Sequence, residues 1–442
     1  MAKVNVYHYL GKSFSCPFCL KEHHIPIRRI LTRKRAVSRL PGFLSRLIRK
    51  KKILVLSDDV TYEIAGKKSV RILRKDFQVS SLVLSSDKGK QVYADEKYFP
   101  EIFSAGQDRN AIITVGSGSV TDMGKYVAHN LKLPWISFPT APSMNAYTSS
   151  VAAFLSGGMK VTVSTQPAIG VIIDLNVIGN APLDLIKAGF ADSLAKSFAN
   201  ADWKMASFLT GEGFCLLPFN ITTEAEHKYL NKGRELCRRD EKTVADLMEG
   251  LNLGGLSMVI AGVSSPASGG EHLISHFLDM IAHREGKKPF SCHGLQVGLG
   301  TLVSSLIYER LKVLSVDEVI SRLHCSEPEY EKAEDFFAKR GLNIKKAHQK
   351  KSLFLNLMRE NLPSLWNRMK KEAFTLTYPA ATIKKVLTEA KCPLRFSEIG
   401  VTRELARQAI MYSRFIRSRL TVLDLADELD ILQEVTEDFL SR

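Results

Sequence analysis

Three histidines and one aspartate in the second half of the chain have the residue types of a metal site. His272 and His276 are four positions apart, so a helix would place both on one face, and His293 follows further along. Asp192 interrupts an otherwise apolar helical stretch, where an acid needs a partner. Imidazoles joined by one carboxylate suit a divalent ion such as zinc, iron or nickel. Each histidine taken singly is more often structural, so only the combination predicts metal binding.

A glycine-rich turn in the first half is the second group of residues with a chemical use. It directly follows the apolar run 111–115 and precedes a helical stretch. Glycines at such a turn let the backbone approach a pyrophosphate, and the helix N-terminus adds N–H groups and a favourable dipole. The glycine fingerprint is incomplete, so a purely structural turn would look similar. The predicted cofactor-binding residues here are Gly116, Ser117, Gly118, Ser119 and Asp122.

Two further segments offer polar groups to a nucleotide. The loop 139–150 is rich in hydroxyls at the end of a predicted strand, and Thr140, Ser143 and Ser149 are its candidate cofactor ligands. An ordinary Ser/Thr loop would have the same composition. Asp58 follows the apolar run 53–56 and is placed to accept hydrogen bonds from the adenosine ribose, which favours NAD over NADP.

The elements that must position these residues change character along the chain. Short β-branched runs alternate with helical stretches in the first part, which is typical of a parallel sheet covered on both faces. The predicted strands are 53–56, 79–84, 111–115, 135–138, 161–163 and 170–174, with a helix over 62–74. Beyond residue 180 helical periodicity dominates, with helices predicted over 183–209, 223–237 and 242–263. We therefore expect a dinucleotide-binding α/β domain over 1–180 and an all-α metal- and substrate-binding domain over 181–442.

Composition places the chain among folded proteins. It has 442 residues, 45% hydrophobic and 24% charged, and no stretch approaches a membrane span in apolar length. Seven scattered cysteines do not form a disulfide framework, so we expect reduced thiols and a cytoplasmic location. The net charge of +16 raises nucleic acid as a partner, but the basic runs 28–35 and 49–52 lack interleaved aromatic residues and a binding motif. A basic solvated surface that attracts anionic substrates is the favoured interpretation.

A pair of cysteines near the N-terminus raises a separate possibility. Cys16 and Cys19 enclose two residues, and His23 and His24 follow. These residues could begin a zinc knuckle, but no second cysteine pair follows at a suitable spacing. The sequence therefore favours a loop or a hairpin end here.

With these motifs identified, the chain resembles the sn-glycerol-1-phosphate dehydrogenases, in the superfamily of iron-type alcohol dehydrogenases, glycerol dehydrogenase and dehydroquinate synthase. The resemblance covers most of the chain, and its motifs look like the bacterial branch of that family. Its most specific parts are Thr140-Ala141-Pro142-Ser143-Met144, Gly269-Gly270-Glu271-His272 and His293-Gly294.

The resemblance implies a dehydroquinate synthase-like fold with one divalent metal (zinc, nickel or iron) held by Asp192, His272 and His293. It implies reduction of dihydroxyacetone phosphate to sn-glycerol 1-phosphate with NAD(H) or NADP(H), in phospholipid metabolism. Lys196 and His276 are expected to line the substrate site. We also expect a homo-oligomer. A lyase or cyclase that uses bound NAD without net redox change, and a non-catalytic ligand-binding protein, are the alternatives.

One position departs from the family pattern. Relatives usually have Asp-Gly after Ser-Met or Ser-Asn, whereas this chain has Asn145-Ala146. An amide donates and accepts hydrogen bonds but cannot act as a base at neutral pH. Asn145 is therefore a candidate catalytic and substrate-binding residue whose effect on substrate choice is open. The basic cluster Arg414, Arg417 and Arg419 is a candidate for the substrate phosphate, with a solvated helix face as the equal alternative.

Overall fold

In a computed structural model, which describes residues 4–85, 92–323 and 327–441, packing divides the chain into two compact units. Among the described residues, the first unit comprises those within 1–190, 220–229 and 234–264, and the second comprises those within 191–219, 230–233 and 265–442. The domain boundary after residue 180 stays a prediction. Two later segments, 220–229 and 234–264, pack with the first unit, and no local sequence pattern predicts this grouping.

A six-stranded parallel sheet forms the centre of the first unit, in the order β3-β10-β7-β6-β4-β5. Its strands are β3 (Arg29–Arg33), β4 (Lys52–Asp58), β5 (Gln78–Leu84), β6 (Ala111–Gly116), β7 (Trp135–Pro139) and β10 (Gly170–Asp174). Strands β6, β7 and β10 are buried at every position, as expected where helices cover both faces. Five of the six predicted strands thus belong to this sheet, as expected.

The basic run 28–35 contains the edge strand β3, which the sequence analysis did not predict. Its burial is only partial, and its arginines stand at both ends. Charged side chains on an edge strand discourage pairing with other chains, so a basic composition is compatible with a strand at this position.

The prediction that residues 161–163 join the main sheet is wrong. They belong to β9 (Met159–Ser164), which pairs antiparallel with β8 (Val151–Ser156) in a separate two-stranded sheet. A short β-branched run predicts a strand but not its partner, because pairing depends on the turn that precedes it. Another two-stranded antiparallel sheet joins β1 (Lys12–Ser15) to β2 (Glu22–Ile25) near the N-terminus.

Helices surround the main sheet and build a continuous apolar core. The helix predicted over 62–74 is confirmed, although it begins earlier and contains a π-helical turn at Tyr62–Gly66. Its apolar side packs with α1 and the sheet through residues such as Phe43, Val70 and Ile113. The helices up to residue 179 are α1 (Leu40–Ser45), α2 (Asp59–Thr61), α3 (Lys67–Leu73), α4 (Phe99–Gly106), α5 (Gly118–Asn130) and α6 (Leu175–Gly179).

Within the described residues, every regular element after β10 is helical, as the sequence predicts. The α-helices are α7 (Leu183–Thr210), α8 (Leu216–Glu226), α9 (Gly233–Cys237), α10 (Glu241–Ala261), α11 (Gly270–Arg284), α12 (His293–Val313), α13 (Val316–Arg322), α14 (Glu327–Ala338), α15 (Lys345–Glu372), α16 (Ala380–Glu389), α17 (Arg403–Tyr412), α18 (Val422–Glu428) and α19 (Leu432–Ser441). The single helix predicted over 223–237 is wrong, because α8 ends and α9 begins within it. The residues between the two helices include Asn231, Lys232 and Gly233, which favour a turn; hydrophobic periodicity alone does not take this preference into account.

One described helix, α10, is long and apolar enough to cross a membrane by length and composition, contrary to the expectation that no stretch approaches this. Buried positions make up 72% of its apolar window. Core helices pass the same test, so α10 is weak evidence for a membrane span.

Candidate active site

The second unit brings the predicted carboxylate and imidazoles together. Asp192 lies on α7, His272 in the first turn of α11, and His293 is the first residue of α12. One ligand atom from each residue lies within 4.8 Å of the other two. Three residues that are distant in sequence thus present ligand atoms to one point, as metal binding requires.

The orientation of His272 is fixed by carboxylates on both ring nitrogens. Its Nδ1 lies 2.8 Å from Glu271 Oε1, and its Nε2 lies 3.1 Å from Asp192 Oδ1. Burial lowers the pKa of His272, but the hydrogen bonds with Asp192 and Glu271 outweigh it and raise the pKa overall. In this arrangement both ring nitrogens can donate to carboxylates. When Nε2 gives up its proton while Nδ1–H still donates to Glu271, the Nε2 lone pair becomes the ligand position on the side of Asp192.

The partner of His293 is a neutral hydroxyl instead of a carboxylate. Ser275 Oγ lies 2.9 Å from His293 Nδ1 and donates a hydrogen bond of 3.2 Å to Gln296 Oε1. Gln296 Nε2 in turn donates to Asp279 Oδ1 at 3.2 Å, which fixes the amide orientation. Because the serine proton is directed to Gln296, Ser275 Oγ accepts from Nδ1–H, and the lone pair of His293 is on Nε2.

The carboxylate of Asp192 is held ionised in a buried position. Burial would raise its pKa, but the Lys196 ammonium and the hydrogen bond with His272 hold the pKa of Asp192 well below its usual range. Lys196 Nζ donates to Asp192 Oδ2 at 3.1 Å and to the Asp192 carbonyl at 2.8 Å. Lys196, predicted to line the substrate site, therefore has its ammonium on a predicted metal ligand. A deprotonated carboxylate is what metal binding needs.

A buried acidic pair supports the first turn of α11, and the sequence analysis did not identify it. Glu271 Oε1 accepts from the N–H of Gly269 at 2.7 Å, and Asp202 Oδ2 accepts from the N–H of Gly270 at 2.8 Å. A Cβ on Gly269 would lie 2.6 Å from Asp202 Oδ2 and 2.8 Å from Glu271 Oε2, so a side chain here would displace the two carboxylates. Burial and the charge of Glu271 raise the pKa of Asp202 to about 8. The sequence Gly-Gly directly before Glu-His could have indicated that a polar group binds the backbone of this turn.

The structure also shows the surroundings of His276, Arg414 and Arg419, which are among the residues that the sequence analysis selected for substrate binding. The ring of His276 lies parallel to that of His293, with centroids 5.6 Å apart and an interplanar angle of 17°. Arg414 is fully buried and donates to Asp427, so the solvated-face interpretation is wrong for it. The burial of Arg414 could not be predicted from the local sequence, because its partner Asp427 lies on a later helix. Arg419 Nη1 donates to the carbonyl of Ser268 at 2.5 Å, directly before the Gly-Gly turn.

In the first unit, the glycine turn joins β6 to α5 as predicted. Gly116 ends the strand, Ser117 is the N-cap without a side-chain capping hydrogen bond, and Gly118 and Ser119 open the helix. The first N–H groups of a helix have no partner within it, so this end can bind an anion. A Cβ on Gly118 would lie 2.0 Å from Met144 Sδ. A side chain at this position would therefore force the Met144 side chain to move.

Lys125 organises the neighbouring loop, although the sequence analysis did not select it. Its fully buried Nζ has four acceptors within hydrogen-bonding distance of its three N–H groups: Asp122 Oδ1 at 3.1 Å, Ser149 Oγ at 2.8 Å, the Ala146 carbonyl at 2.8 Å and the Val151 carbonyl at 2.7 Å. Burial lowers the pKa of Lys125, and the Asp122 carboxylate opposes this effect. A charged residue three positions after Asp122 on an apolar helix was the signal that could have revealed the pair.

Several predicted cofactor ligands have internal roles. Asp58 Oδ1 caps the following helix by accepting from Thr61 N and Thr61 Oγ1, each at 2.7 Å. Ser143 Oγ lies 3.2 Å from Tyr147 Oη. Thr140 N donates to the Gly116 carbonyl at 3.2 Å, which ties the loop 139–150 to the glycine turn. Asn145 is buried in the same loop. The loop is therefore adjacent to the turn, and its own hydrogen bonds hold it there.

The parallel sheet with its glycine turn and the helical unit with its Asp-His-His cluster can be compared with known proteins. A family model described as iron-containing alcohol dehydrogenase matches residues 32–182. The fold is similar to that of glycerol dehydrogenase from Schizosaccharomyces pombe, with a TM-score of 0.57 and 18% identity over 94% of this chain and 91% of that one. The chain thus has the fold of the iron-type alcohol dehydrogenases.

Sequence comparison identifies the family to which the chain belongs within this fold class. A glycerol-1-phosphate dehydrogenase [NAD(P)+] from Bacillus licheniformis is 28% identical over 427 residues, which cover 96% of this chain and 95% of the relative. One from Geobacillus thermodenitrificans is 32% identical over 297 residues, which cover 66% of this chain and 73% of the relative. The chain belongs to the glycerol-1-phosphate dehydrogenase family. The resemblance stated from sequence motifs is confirmed.

Proposed function

We propose that this chain reduces dihydroxyacetone phosphate to sn-glycerol 1-phosphate with NADH or NADPH. The observation that carries the proposal is the convergence of Asp192, His272 and His293 in a chain of the glycerol-1-phosphate dehydrogenase family. One anionic carboxylate and two imidazoles with their lone pairs on Nε2 form a donor set that fits a borderline divalent ion. These three residues hold that ion, which is zinc, nickel or iron.

The bound metal supplies Lewis-acid polarisation of the ketone, and the reduced nicotinamide supplies the hydride. The protein's own residues prepare the site for both. Glu271 and Ser275 fix the tautomers of His272 and His293, and Lys196 keeps Asp192 ionised. Oriented ligands lose little freedom on binding, which raises metal affinity.

The dinucleotide binds through the backbone at the start of α5. N–H groups at Gly118 and Ser119 bind the pyrophosphate, since no side chain caps this end. Gly116, Ser117 and Asp122 shape the turn, and Thr140, Ser143 and Ser149 line it. Asp58 binds the ribose through the carboxylate oxygen that does not cap the helix.

The substrate contacts are Asn145, Lys196 and His276. Asn145 binds a substrate hydroxyl through its amide but cannot deliver or remove a proton as a base. An ionisable group must therefore perform that transfer, and His276, stacked on His293, has the chemistry for it. Arg417 and Arg419 are the cationic candidates for the phosphate, because guanidinium groups pair well with phosphate oxygens. Burial lowers the pKa of both. The charge of Arg419 lowers the pKa of Arg417 further, whereas acids such as Glu271 oppose the lowering at Arg419.

A direct assay tests this function. The purified chain, loaded separately with zinc, nickel or iron, is mixed with dihydroxyacetone phosphate, and oxidation of NADH and NADPH is followed by absorbance. We expect stoichiometric oxidation and a product that an sn-glycerol-3-phosphate dehydrogenase does not reoxidise. Product formed without net NADH loss would support a lyase. Nucleotide binding without turnover on any ketone phosphate would support a binding protein.

The cellular setting is part of the same proposal. The chain acts in the cytoplasm as a homo-oligomer, and its basic surface attracts the phosphorylated substrate instead of a specific nucleic acid. Light scattering on the eluted protein gives the oligomeric state. Retention of a defined nucleic-acid sequence at physiological salt would contradict this interpretation.

A further inference from the structure

The N-terminal hairpin contains a second group of side chains of the types that bind metals, separate from Asp192, His272 and His293, which are called the Asp192 cluster below. Strands β1 and β2 pair antiparallel in a register that sets Ser15 opposite Glu22 and Phe14 opposite His23. The connection between them, residues 16–21, carries Cys16 and Cys19. The hairpin, meaning residues 12–25, therefore places two sulfurs and one imidazole at one end.

The backbone of this connection is tightly closed. Leu20 N donates to the Cys16 carbonyl at 3.0 Å, and Cys16 N donates to the Lys21 carbonyl at 2.9 Å. Leu20 has a φ of +59° and its side chain is 88% exposed. A left-handed conformation at a branched residue is strained, and such strain persists where the surrounding structure holds a ligand or functional group in place. The exposed Leu20 side chain gains no burial that would offset this strain.

The side chains converge at the end of the hairpin. Cys19 Sγ lies 3.2 Å from His23 Nε2, and the ligand atoms of Cys16, Cys19 and His23 all lie within 4.8 Å of one another. Zinc with bonds of about 2.3 Å to sulfur and about 2.1 Å to nitrogen places its ligands roughly 3.5 to 4 Å apart. The observed spacing is therefore close to that of a tetrahedral zinc site.

The imidazole is also supported from behind, as in a metal site. His23 hydrogen-bonds to the backbone of Ile260 on α10, while its Nε2 faces Cys19. Histidine ligands usually bind a backbone carbonyl or carboxylate with the second ring nitrogen, which fixes the tautomer. A simple Cys–His hydrogen bond would explain the Cys19–His23 pair, but it would not require a second sulfur near both atoms.

We propose that Cys16, Cys19 and His23 bind a structural zinc ion that stabilises the hairpin, with the fourth position filled from outside it. Two thiolates and an imidazole form the ligand set that zinc prefers in structural sites. Four-residue strands in a two-stranded sheet are marginal without a further constraint, and a metal supplies one. The proposal does not rest on the function proposed above.

Metal analysis and cobalt spectroscopy test this site separately from the Asp192 cluster. We compare the unchanged chain with Cys19→Ser, His23→Ala, His272→Ala and the control His24→Ala, whose exposed neighbouring imidazole bonds to Ser13 instead. We expect Cys19→Ser and His23→Ala to lose one zinc ion per chain and the thiolate-to-cobalt charge-transfer band of the cobalt form. His272→Ala and His24→Ala should keep the band. Zinc content and a band unchanged in Cys19→Ser and His23→Ala would overturn the proposal.

A second measurement on the unchanged chain guards against misfolded variants. An organomercurial is titrated against thiols while a chromogenic chelator reports released zinc. We expect one zinc ion to leave as the hairpin thiols react, whereas the ion at a site of carboxylate and imidazole ligands does not respond to thiol modification. Thiol modification without zinc release would also overturn the proposal.

Discussion

The glycine turn of the first unit and the Asp192 cluster of the second use opposite means to prepare a site. At the cluster, predicted side chains point to one another, and buried partners such as Glu271 and Lys196 fix their protonation and orientation. At the turn, predicted side chains such as Asp58 and Ser149 are engaged in internal hydrogen bonds. The groups at the turn that can bind a ligand are therefore the backbone N–H groups at the start of α5. Side-chain substitutions should therefore have large effects at the cluster, and changes to backbone access should matter most at the turn.

The largest effect is expected for His272→Ala, which removes a predicted metal ligand. Metal retention after dialysis should be lost, and turnover should fall by more than the ~10²–10³-fold that loss of one electrostatic stabiliser costs. Metal content and kcat are measured on the same preparations. The exposed His283, at the other end of α11, provides the control His283→Ala with unchanged values. Full activity in His272→Ala would refute the metal assignment.

Lys125→Met should break the support of the loop 139–150. It removes the ammonium from a fully buried site and leaves Asp122 and two carbonyls without that donor. Breaking a buried charge pair costs about 3–5 kcal/mol of unfolding free energy. Denaturant titration measures the loss. Lys67→Met, whose side chain is 67% exposed and pairs with Glu63, is the control and should change stability by at most about 1 kcal/mol.

Substitution of Gly118 tests backbone access against packing. Gly118→Ala introduces a Cβ that would lie 2.0 Å from Met144 Sδ, so weaker NADH binding in this variant alone has two explanations. Combining it with Met144→Ala removes the packing conflict. If the pyrophosphate binds at this backbone, NADH affinity should stay reduced by roughly tenfold or more in the double variant compared with Met144→Ala. Restored affinity in the double variant would place the dinucleotide elsewhere.

Glu271→Gln should weaken the cluster without removing a ligand. The amide binds His272 less strongly than the carboxylate, so metal affinity or activity should fall about 10–100-fold. Competition with a chelator of known affinity measures the first quantity, and steady-state kinetics the second. Glu285→Gln, at the exposed C-terminal end of α11, should behave like the unchanged chain. Unchanged metal affinity together with unchanged kinetics in Glu271→Gln would show that Glu271 does not position His272.

Asn145→Asp should have the smallest and most selective effect. It restores the carboxylate usual in the resembled family while leaving the metal ligands and the glycine turn unaltered. We expect metal content and NADH affinity to stay constant and kcat/KM to change severalfold between dihydroxyacetone phosphate and longer ketose phosphates. An increase on dihydroxyacetone phosphate would show that the amide reduces the parent activity. No change on any substrate would remove the loop 139–150 from the active site.

The sequence determined the strands and the residues of the cluster for physical reasons that operate locally. Runs such as 53–56 and 111–115 are continuously apolar because both faces of a parallel sheet are buried, so they can be read without knowing their partners. The glycine turn was visible because its glycines lie directly between an apolar strand and a helical stretch. The triad was found by combining residue type with motif resemblance, and the structure brings its ligand atoms together.

Only the tertiary structure decided which groups serve these residues. Lys125, Ser275 and Asp202 act through partners that are distant in sequence, and a buried polar group cannot be assigned a partner until the packing around it is known. The same reason explains the errors: the partner of residues 161–163 and the burial of Arg414 depend on elements elsewhere in the chain. Local composition determined the elements and the ligand types, whereas long-range packing determined charge, orientation and pairing.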